Sequence, residues 1–553
     1  MIDSHPVIRL LGFLSLMADS TQMTDSTLSD IEASQAESAS DGETHSVARL
    51  MCLRAFDQVD STIVVFVRIA VAIAIYMWAH SFLVENKYDI IFLQTRFLFK
   101  YEGLEWIRLW PGNGIYWHFV ITKIAAVCMA IGFLTRISAA TLCAAIAYVL
   151  LVERQIYVNH YYLLSCAAGM LVFLPAGKRY SVDAWLGIER ASVTFPRWQL
   201  WLLRFQLGIP YVFGAIAKLN ADWFRGQPSE LILRTRTNLP GIGPLSDVPG
   251  AIETMAYGGF FYDLLVIPML LYRRTRWIAV AMSLGFHLTN AFILNIGVFP
   301  WFMMGTLLVF FPVETIPNRV HLFLGCQTKP SSEVGNAQNS RFSQAQSPSK
   351  LGVISKLGLA LAMFYVVIQL LLPIRPWIYP GDPNWNEHGQ RFAWRMMLRD
   401  KQALTTYLLI EPGRSFVYVP STHLLSPHQA SHADHHPELI RQTALQFQKF
   451  AFEKLGIADC EVYALALTTL NGRKPKPLVD SSIDLTKVTP DHWDQWVADD
   501  AGEFLDPAWR LDREQWWTEL EIPEKFGPLQ GKTPTDLQNA LKAMAEQQAA
   551  SQP

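Results

Sequence analysis

Apolar runs separated by short polar stretches fill the chain from about residue 61 to residue 373, and mixed polar sequence follows. Nine apolar segments stand out, approximately Ile63–Leu83, Trp117–Leu134, Ser138–Leu151, Tyr161–Leu174, Leu200–Ala217, Ile252–Leu271, Trp277–Val298, Phe299–Phe311 and Ile354–Leu372. A helix rises 1.5 Å per residue, so about 20 apolar residues cross a bilayer. The shorter segments reach across by borrowing flanking aromatics, by tilting, or by re-entering, which leaves the count at about nine. Trp and Tyr gather at segment ends, as at Tyr116–Trp117, Tyr161–Tyr162 and Trp198–Trp201, where interfacial belts are expected.

The flanking stretches read differently. Residues 1–55 are polar, without periodicity, and are expected to form a disordered tail. Residues 329–350, rich in Ser, Gln and Asn, read as a flexible loop inside a transmembrane domain spanning 56–373. Beyond Pro373, Thr405–Ile410 and Arg414–Val419 alternate as a hairpin around Glu411-Pro412-Gly413. His436–Leu455 has helical period, Cys460–Leu470 is a third strand candidate, and Pro534–Gln548 reads as a polar helical tail. The predicted fold is therefore an α-helical multi-pass membrane domain of about nine transmembrane helices plus an extramembrane α+β domain over 374–530, ending in a polar tail over 531–553.

Composition narrows the class. Hydrophobic residues make up 51% of the 553, charged residues only 17%, and the net charge is −2, which gives nucleic acid nothing to bind. The six cysteines include no CxxC pair, so neither a zinc ribbon nor a disulfide framework is expected, and no metal is predicted. No internal repeat is visible, which argues against a transporter. The basic clusters Arg273, Arg274 and Arg276, and Lys178, Arg179, Arg190 and Arg197, put the N-terminus in the cytoplasm and the C-terminal domain outside.

Ionisable groups in the spans carry the chemistry, because burying each costs at least about 2.5–3.5 kcal/mol. His160 begins the fourth segment, Lys218 ends the fifth, and His287 lies within the seventh. With the segments alternating in direction, all three fall near the outer face and can share one outward-opening pocket. A lysine at a helix end also serves as a snorkelling anchor, and a buried histidine also finds polar neighbours in an ordinary core. A lysine in an apolar pocket sheds its charge readily and becomes a base. His423, His428, His432, His435 and His436 with Asp434 read as a solvated loop, although the alternation of His432, Asp434 and His436 has chelating spacing. Arg391, Arg395 and Arg399 recur at intervals of four, one basic stripe on an expected amphipathic helix. That stripe would face phospholipid or clamp a carboxylate.

At these residues the chain resembles the vitamin K-dependent γ-glutamyl carboxylase family, also called the horizontally transferred transmembrane (HTTM) family, over roughly residues 50–485. The words that carry the resemblance are Asn159-His160-Tyr161-Tyr162-Leu163-Leu164 with Phe173-Leu174-Pro175-Ala176, then Ala217-Lys218-Leu219-Asn220-Ala221-Asp222-Trp223, then Phe286-His287-Leu288-Thr289-Asn290. Trp394-Arg395-Met396-Met397 and Leu470-Asn471-Gly472-Arg473 resemble the bacterial branch, which implies a bacterial inner membrane. The resemblance implies a coupled reaction. A lysine, here Lys218, deprotonates a reduced vitamin K-type naphthoquinol such as menaquinol. Addition of O2 leads to the quinone epoxide and a strongly basic alkoxide, which removes a γ-proton from glutamate, and the carbanion captures CO2. By the same resemblance His160 assists the carbanion step, His287 lines the quinol pocket, and Asn159 orients the set. Trp394, Arg395 and Arg391 then become substrate-side candidates. The implied partners are membrane lipid and an extracytoplasmic Glu-containing protein or peptide.

Two departures from the family pattern are visible. The segment before Met396 reads Gly389-Gln390-Arg391-Phe392-Ala393-Trp394-Arg395, where the animal enzymes are tyrosine-rich, so the quinol side carries over better than the glutamate side. Glu85–Tyr116 contains no cysteine to pair with Cys460, so the family's loop-to-domain disulfide is expected to be absent. From a different class, the alternative reading is a quinone- or lipid-binding membrane protein without carboxylase activity, whose external domain binds a partner.

Overall fold

The computed structural model describes residues 55–235, 248–311 and 353–550, apart from Asn295, Pro412, Arg414 and Asp506. The expected tail up to residue 54 and the loop 329–350 lie outside the described residues. Each of the nine apolar segments coincides with a helix. They are α1 (Thr62–Val84), α2 (Gly114–Ile131), α3 (Thr135–Val152), α4 (Asn159–Phe173), α5 (Arg197–Ala217), α6 (Ala251–Leu271), α7 (Arg276–Thr289), α8 (Phe299–Thr306) and α9 (Val353–Leu371). Among the described residues, six helices are long and apolar enough to cross a membrane. α4, α7 and α8 fall short of the usual span: α4 has 15 residues, α7 has 14 before a π-helical turn over Asn290–Leu294, and α8 runs on as a 3₁₀ turn to Phe310.

The helices pack as neighbours along the chain, α1 on α2, α3 on α4, and α6 on both α5 and α7. α1 carries a buried charge that segment reading alone does not reveal. Arg68 is 1% exposed and donates to the carbonyls of Ala176 at 2.6 Å, Tyr180 at 2.7 Å and, more weakly, Ala130 at 3.4 Å. It thereby satisfies carbonyls at the C-terminal end of α2 and in the α4–α5 connection. Gly132 ends α2 at φ +71°, and a Cβ there would lie 2.4 Å from Ser181 and 2.7 Å from the Arg68 guanidinium, so only glycine fits the turn.

In the C-terminal domain, β3 (Ala403–Glu411), β4 (Ser415–Pro420), β5 (Glu461–Thr468) and β6 (Lys476–Pro477) form one antiparallel sheet in the order β4-β3-β5-β6. A separate two-stranded ribbon pairs β1 (Gln58–Asp60) with β2 (Thr194–Pro196), three residues each. Because side chains alternate across a strand, one face of the main sheet presents Tyr407, Val462, Ala464 and Ala466 to α11 (Pro437–Leu455). The other presents Leu408, Tyr463, Leu465 and Leu467 to Trp516, Trp517 and Phe526. Both faces are covered, which is why β5 is apolar from Val462 to Leu467. The polar helical tail expected over Pro534–Gln548 is α12 (Pro534–Ala550), and its Leu537 and Leu541 pack onto these clusters.

Two local expectations are overturned. Residues 389–400 form turns, with positive φ at Gly389, Phe392, Trp394 and Met397, so Arg391, Arg395 and Arg399 do not share a helix face. Side chains from outside the segment hold its backbone: the Phe392 N–H donates to Tyr157 Oη at 2.7 Å, and the carbonyls of Arg391 and Arg395 accept from Arg375 at 2.5 Å and Asn159 at 3.0 Å. Those bonds replace the i to i−4 ladder a helix would need. The histidine-rich stretch is no solvated loop. It forms α10 (Pro427–Ala433), capped by Ser426, and leads directly into α11. α10 docks on the membrane domain, with Ala430, Ala433 and Leu439 packed against Phe97 and Phe99.

Candidate active site

A cavity of about 970 Å³ lies between the membrane helices and the C-terminal domain. Lys218, His160, His287 and Asn159 line it from the membrane helices, and Arg391 and Arg395 line it from the C-terminal domain. Trp394 does not: it is 1% exposed and packs in the membrane core with its ring 5.1 Å from that of Tyr162. Its surroundings are those of a core residue.

Lys218 sits at the C-terminal end of α5, where the last carbonyls and the next turn crowd it. Its Nζ donates to Asp263 Oδ2 at 2.6 Å and to the Gly214 carbonyl at 3.5 Å. The Trp223 ring centroid is 5.0 Å away, within cation–π reach. Both partners of the ion pair are buried, at 6% and 7% side-chain exposure. A pair so dry survives only because each charge balances the other. On α7, His287 is fully buried. Its Nε2 lies 2.9 Å from Tyr211 Oη and 3.3 Å from Tyr262 Oη. Its Nδ1 has no partner among the described residues. His160 is half-buried at the start of α4, edge-on to Tyr161 and 5.9 Å from the Phe299 ring. Asn159 binds protein on both sides of its amide, donating to the Arg395 carbonyl at 3.0 Å and accepting from Tyr157 Oη at 3.0 Å. It fixes where the arginine segment lies.

The opposite wall is cationic. Arg395 is 9% exposed, and among the described residues its guanidinium donates to neutral amides alone, Gln390 Oε1 at 3.1 Å and Asn384 Oδ1 at 2.8 Å. Burial pulls it down to about 10. Arg391 contacts His436 Nε2 at 3.1 Å and the Arg154 carbonyl at 3.3 Å. Among the described residues neither arginine has an ion-pair partner, whereas Arg399 and Lys401 both pair with Glu387, at 2.7 and 2.8 Å. Burial raises Glu387, and those two cations more than reverse it, leaving the carboxyl below its usual range. His432, Asp434 and His436 do not converge: among the described residues no three such side chains come together as a metal site. Cys460 is buried and unpaired.

His435 and His436 also line the cavity, and both are held neutral. Burial, and then the nearby Lys401, push His435 down to about 3. Burial and Arg391 hold His436 well below an ordinary imidazole. In the unfolded chain both take up protons near pH 6.5, so their contribution to stability is complete above that pH and is lost progressively as pH falls toward 3. The melting temperature in nanodiscs is expected to decline between pH 7 and 5, and His435→Gln with His436→Gln should flatten that decline.

Several site residues escape a motif reading. Asp263 is the acid of an otherwise apolar stretch, Gly258–Leu271, and the cost of burying a charge flags it as readily as it flags Lys218. Tyr211 and Tyr262 look like ordinary span aromatics, and nothing in their spacing marks them. Asp222, inside one of the family words, takes both Arg473 guanidinium nitrogens at 2.6 and 2.7 Å and Asn471 Nδ2 at 2.9 Å. The two domains are thereby tied together four residues from Lys218.

No solved structure matches the chain. Family comparison finds an HTTM domain over residues 56–314 and a vitamin K-dependent gamma-carboxylase lumenal domain over residues 354–501. These two matches fall on the helical part and on the α+β part respectively, and their facing surfaces enclose the cavity. The chain belongs to the vitamin K-dependent γ-carboxylase (HTTM) family of membrane proteins.

Proposed function

We propose that the protein is a quinol-dependent membrane enzyme that oxidises a reduced vitamin K-type naphthoquinol, such as menaquinol, with O2 to the epoxide and uses that oxidation to carboxylate a glutamyl or other carbon acid with CO2. The observation that carries the reading is the dry Lys218–Asp263 pair on the wall of one cavity with His287 and two arginines that have no ion-pair partner among the described residues. The cavity fits a naphthoquinol. Its volume is that of a small-molecule site, Phe286, Phe299 and Tyr262 supply flat apolar walls, and the orphaned His287 Nδ1 leaves a polar atom for a ring oxygen. Bound there, the quinol would supply electrons to O2 and the strong base that a carbon acid demands.

The chain's own residues supply the rest. Lys218 Nζ removes the hydroxyl proton. Tyr211 and Tyr262 hold the His287 ring so that Nδ1, and not Nε2, meets the ligand. His160, next to Asn159 at the mouth of α4, serves the carbon-acid side. Arg395 and Arg391 receive the anionic end of that substrate, since an unpaired buried guanidinium gains most from a carboxylate. Closure by the C-terminal domain keeps water from the base. The substrate carrier would be a Glu-containing protein or peptide on the extracytoplasmic side of a bacterial inner membrane, with the N-terminus cytoplasmic, as the basic loops indicate.

The test is incorporation of labelled CO2 into a glutamyl peptide by the protein in nanodiscs with menaquinol and O2. Acid-stable label that depends on both menaquinol and O2 is expected. Oxygen uptake without label would leave quinol oxidation and remove the carboxylation half. Saturable menaquinol binding with neither would favour the quinone-binding reading.

A further inference from the structure

The pairing of Lys218 with Asp263 raises a chemical problem for any base at this site. An ammonium has no lone pair with which to take a proton, and Lys218 Nζ is a donor, at 2.6 Å, to the Asp263 carboxylate on α6. We propose that Asp263 is the proton acceptor of the site and that Lys218 is the relay in front of it. This rests on the reading of the cavity as a naphthoquinol site.

The step balances within the pair. An N–H bond of the Lys218 ammonium breaks and an O–H bond forms on Asp263 Oδ2, leaving a neutral amine beside a carboxylic acid. The freed lone pair on Nζ then takes the hydroxyl proton of the quinol, whose O–H electron pair stays on the quinol oxygen. The outcome is an ammonium, a carboxylic acid and a quinol monoanion, with one proton gained by Asp263. No oxidant is involved. The geometry provides for each transfer. Oδ2 is the oxygen bonded to Nζ, and both Lys218 and Asp263 line the cavity. Nζ also reaches the Gly214 carbonyl at 3.5 Å and lies 5.0 Å from the Trp223 ring centroid. A Cβ at residue 214 would lie 2.9 Å from Asp263 Oδ2, so glycine is what lets α5 and α6 approach closely enough for the contact. The other titratable groups facing this cavity are Tyr157 just before α4, His160 on α4, Tyr211 on α5, Tyr262 on α6 and His287 on α7, with Arg391, Arg395, Arg399, Glu387, His432, His435 and His436 on the far wall. Asp222, which is held by Arg473, has its proton-accepting oxygens occupied.

The test stops the reaction before oxygen. Menaquinol is titrated anaerobically into the full-length protein in nanodiscs, with quinolate read by absorbance and carboxylic acid by its infrared C=O stretch. In wild type, quinolate and a new carboxylic-acid band are expected to rise together. Asp263→Asn keeps an oxygen acceptor for Lys218 but cannot take a proton, and is expected to lower quinolate formation at least about 100-fold at every pH. Asp263→Glu should restore quinolate with a displaced band, showing that the fold tolerates change there. Quinolate without a carboxyl band in wild type would overturn the proposal. So would Asp263→Asn forming quinolate with its midpoint moved to lower pH, because a lysine relieved of its counter-charge would then be the sole base. Equal quinolate in wild type and Lys218→Ala would instead overturn the underlying reading of the pair as the base.

Discussion

Lys218→Ala is expected to lose menaquinol-dependent oxygen consumption by about 10²–10⁴-fold, the usual contribution of a positioned base, while the protein still inserts and binds menaquinol. Removing the amine takes away the only nitrogen that, among the described residues, hydrogen-bonds Asp263 Oδ2, and leaves a carboxylate buried without its cation. Such a charge is costly, and the site responds by protonating it. The variant therefore loses the relay and the acceptor together, which is why its effect is the largest expected here. Lys218→Arg keeps the charge but not the function, because guanidinium does not give up its proton near neutral pH. Turnover in that variant should stay within a few-fold of the alanine variant. Normal oxygen consumption by Lys218→Ala would remove the base from the account.

The second large effect belongs to a residue far from the reacting atoms in sequence. Arg473→Ala is expected to destabilise the docking of the C-terminal domain on the membrane domain by about 3–5 kcal/mol, the usual result of stranding one partner of a buried pair. Arg473 forms a two-pronged ion pair with Asp222, whose carboxylate is 8% exposed, and Asn471 adds a third bond to the same carboxylate. Asp222 lies in the first turn of the short helix Ala221–Phe224, four residues after Lys218, and the Trp223 ring of that helix is 5.0 Å from Nζ. Undocking should open the cavity to water, so proteolysis of the C-terminal domain should speed up while turnover falls. Asp222→Asn with Arg473→Met, which removes both charges, should recover part of the docking. Unchanged proteolysis in Arg473→Ala would show that the tie carries no docking energy.

Much of this architecture is legible in the order of residues, and the reasons for the exceptions are physical. Apolar runs placed all nine helices because helix burial in a membrane protein is written in long stretches. The strands β3, β4 and β5 each fell within a few residues of their expected limits, since period-two alternation is a local signal. The arginine stripe at 391, 395 and 399 misled because its spacing is helical while its backbone bonds go to Tyr157, Asn159 and Arg375 on distant parts of the chain. The histidines at 435 and 436 read as solvated for the same reason: their neighbours Arg391 and Lys401 come from a distant stretch of the chain. The cavity gathered Lys218, His160, His287, Asn159, Arg391 and Arg395, and left out Trp394. Asp263 is legible in the sequence as a charged residue in an apolar stretch. Tyr211 and Tyr262 are not, because only the crossing of α5, α6 and α7 places their hydroxyls on one imidazole.

The measurement that bears most directly on the central claim is oxygen-dependent formation of menaquinone epoxide by the purified wild-type protein in nanodiscs, with an anaerobic sample beside it. Epoxide that accumulates with repeated turnover, only when O2 is present, is the expected result. Menaquinol that binds saturably to folded protein and is never converted to epoxide would contradict it.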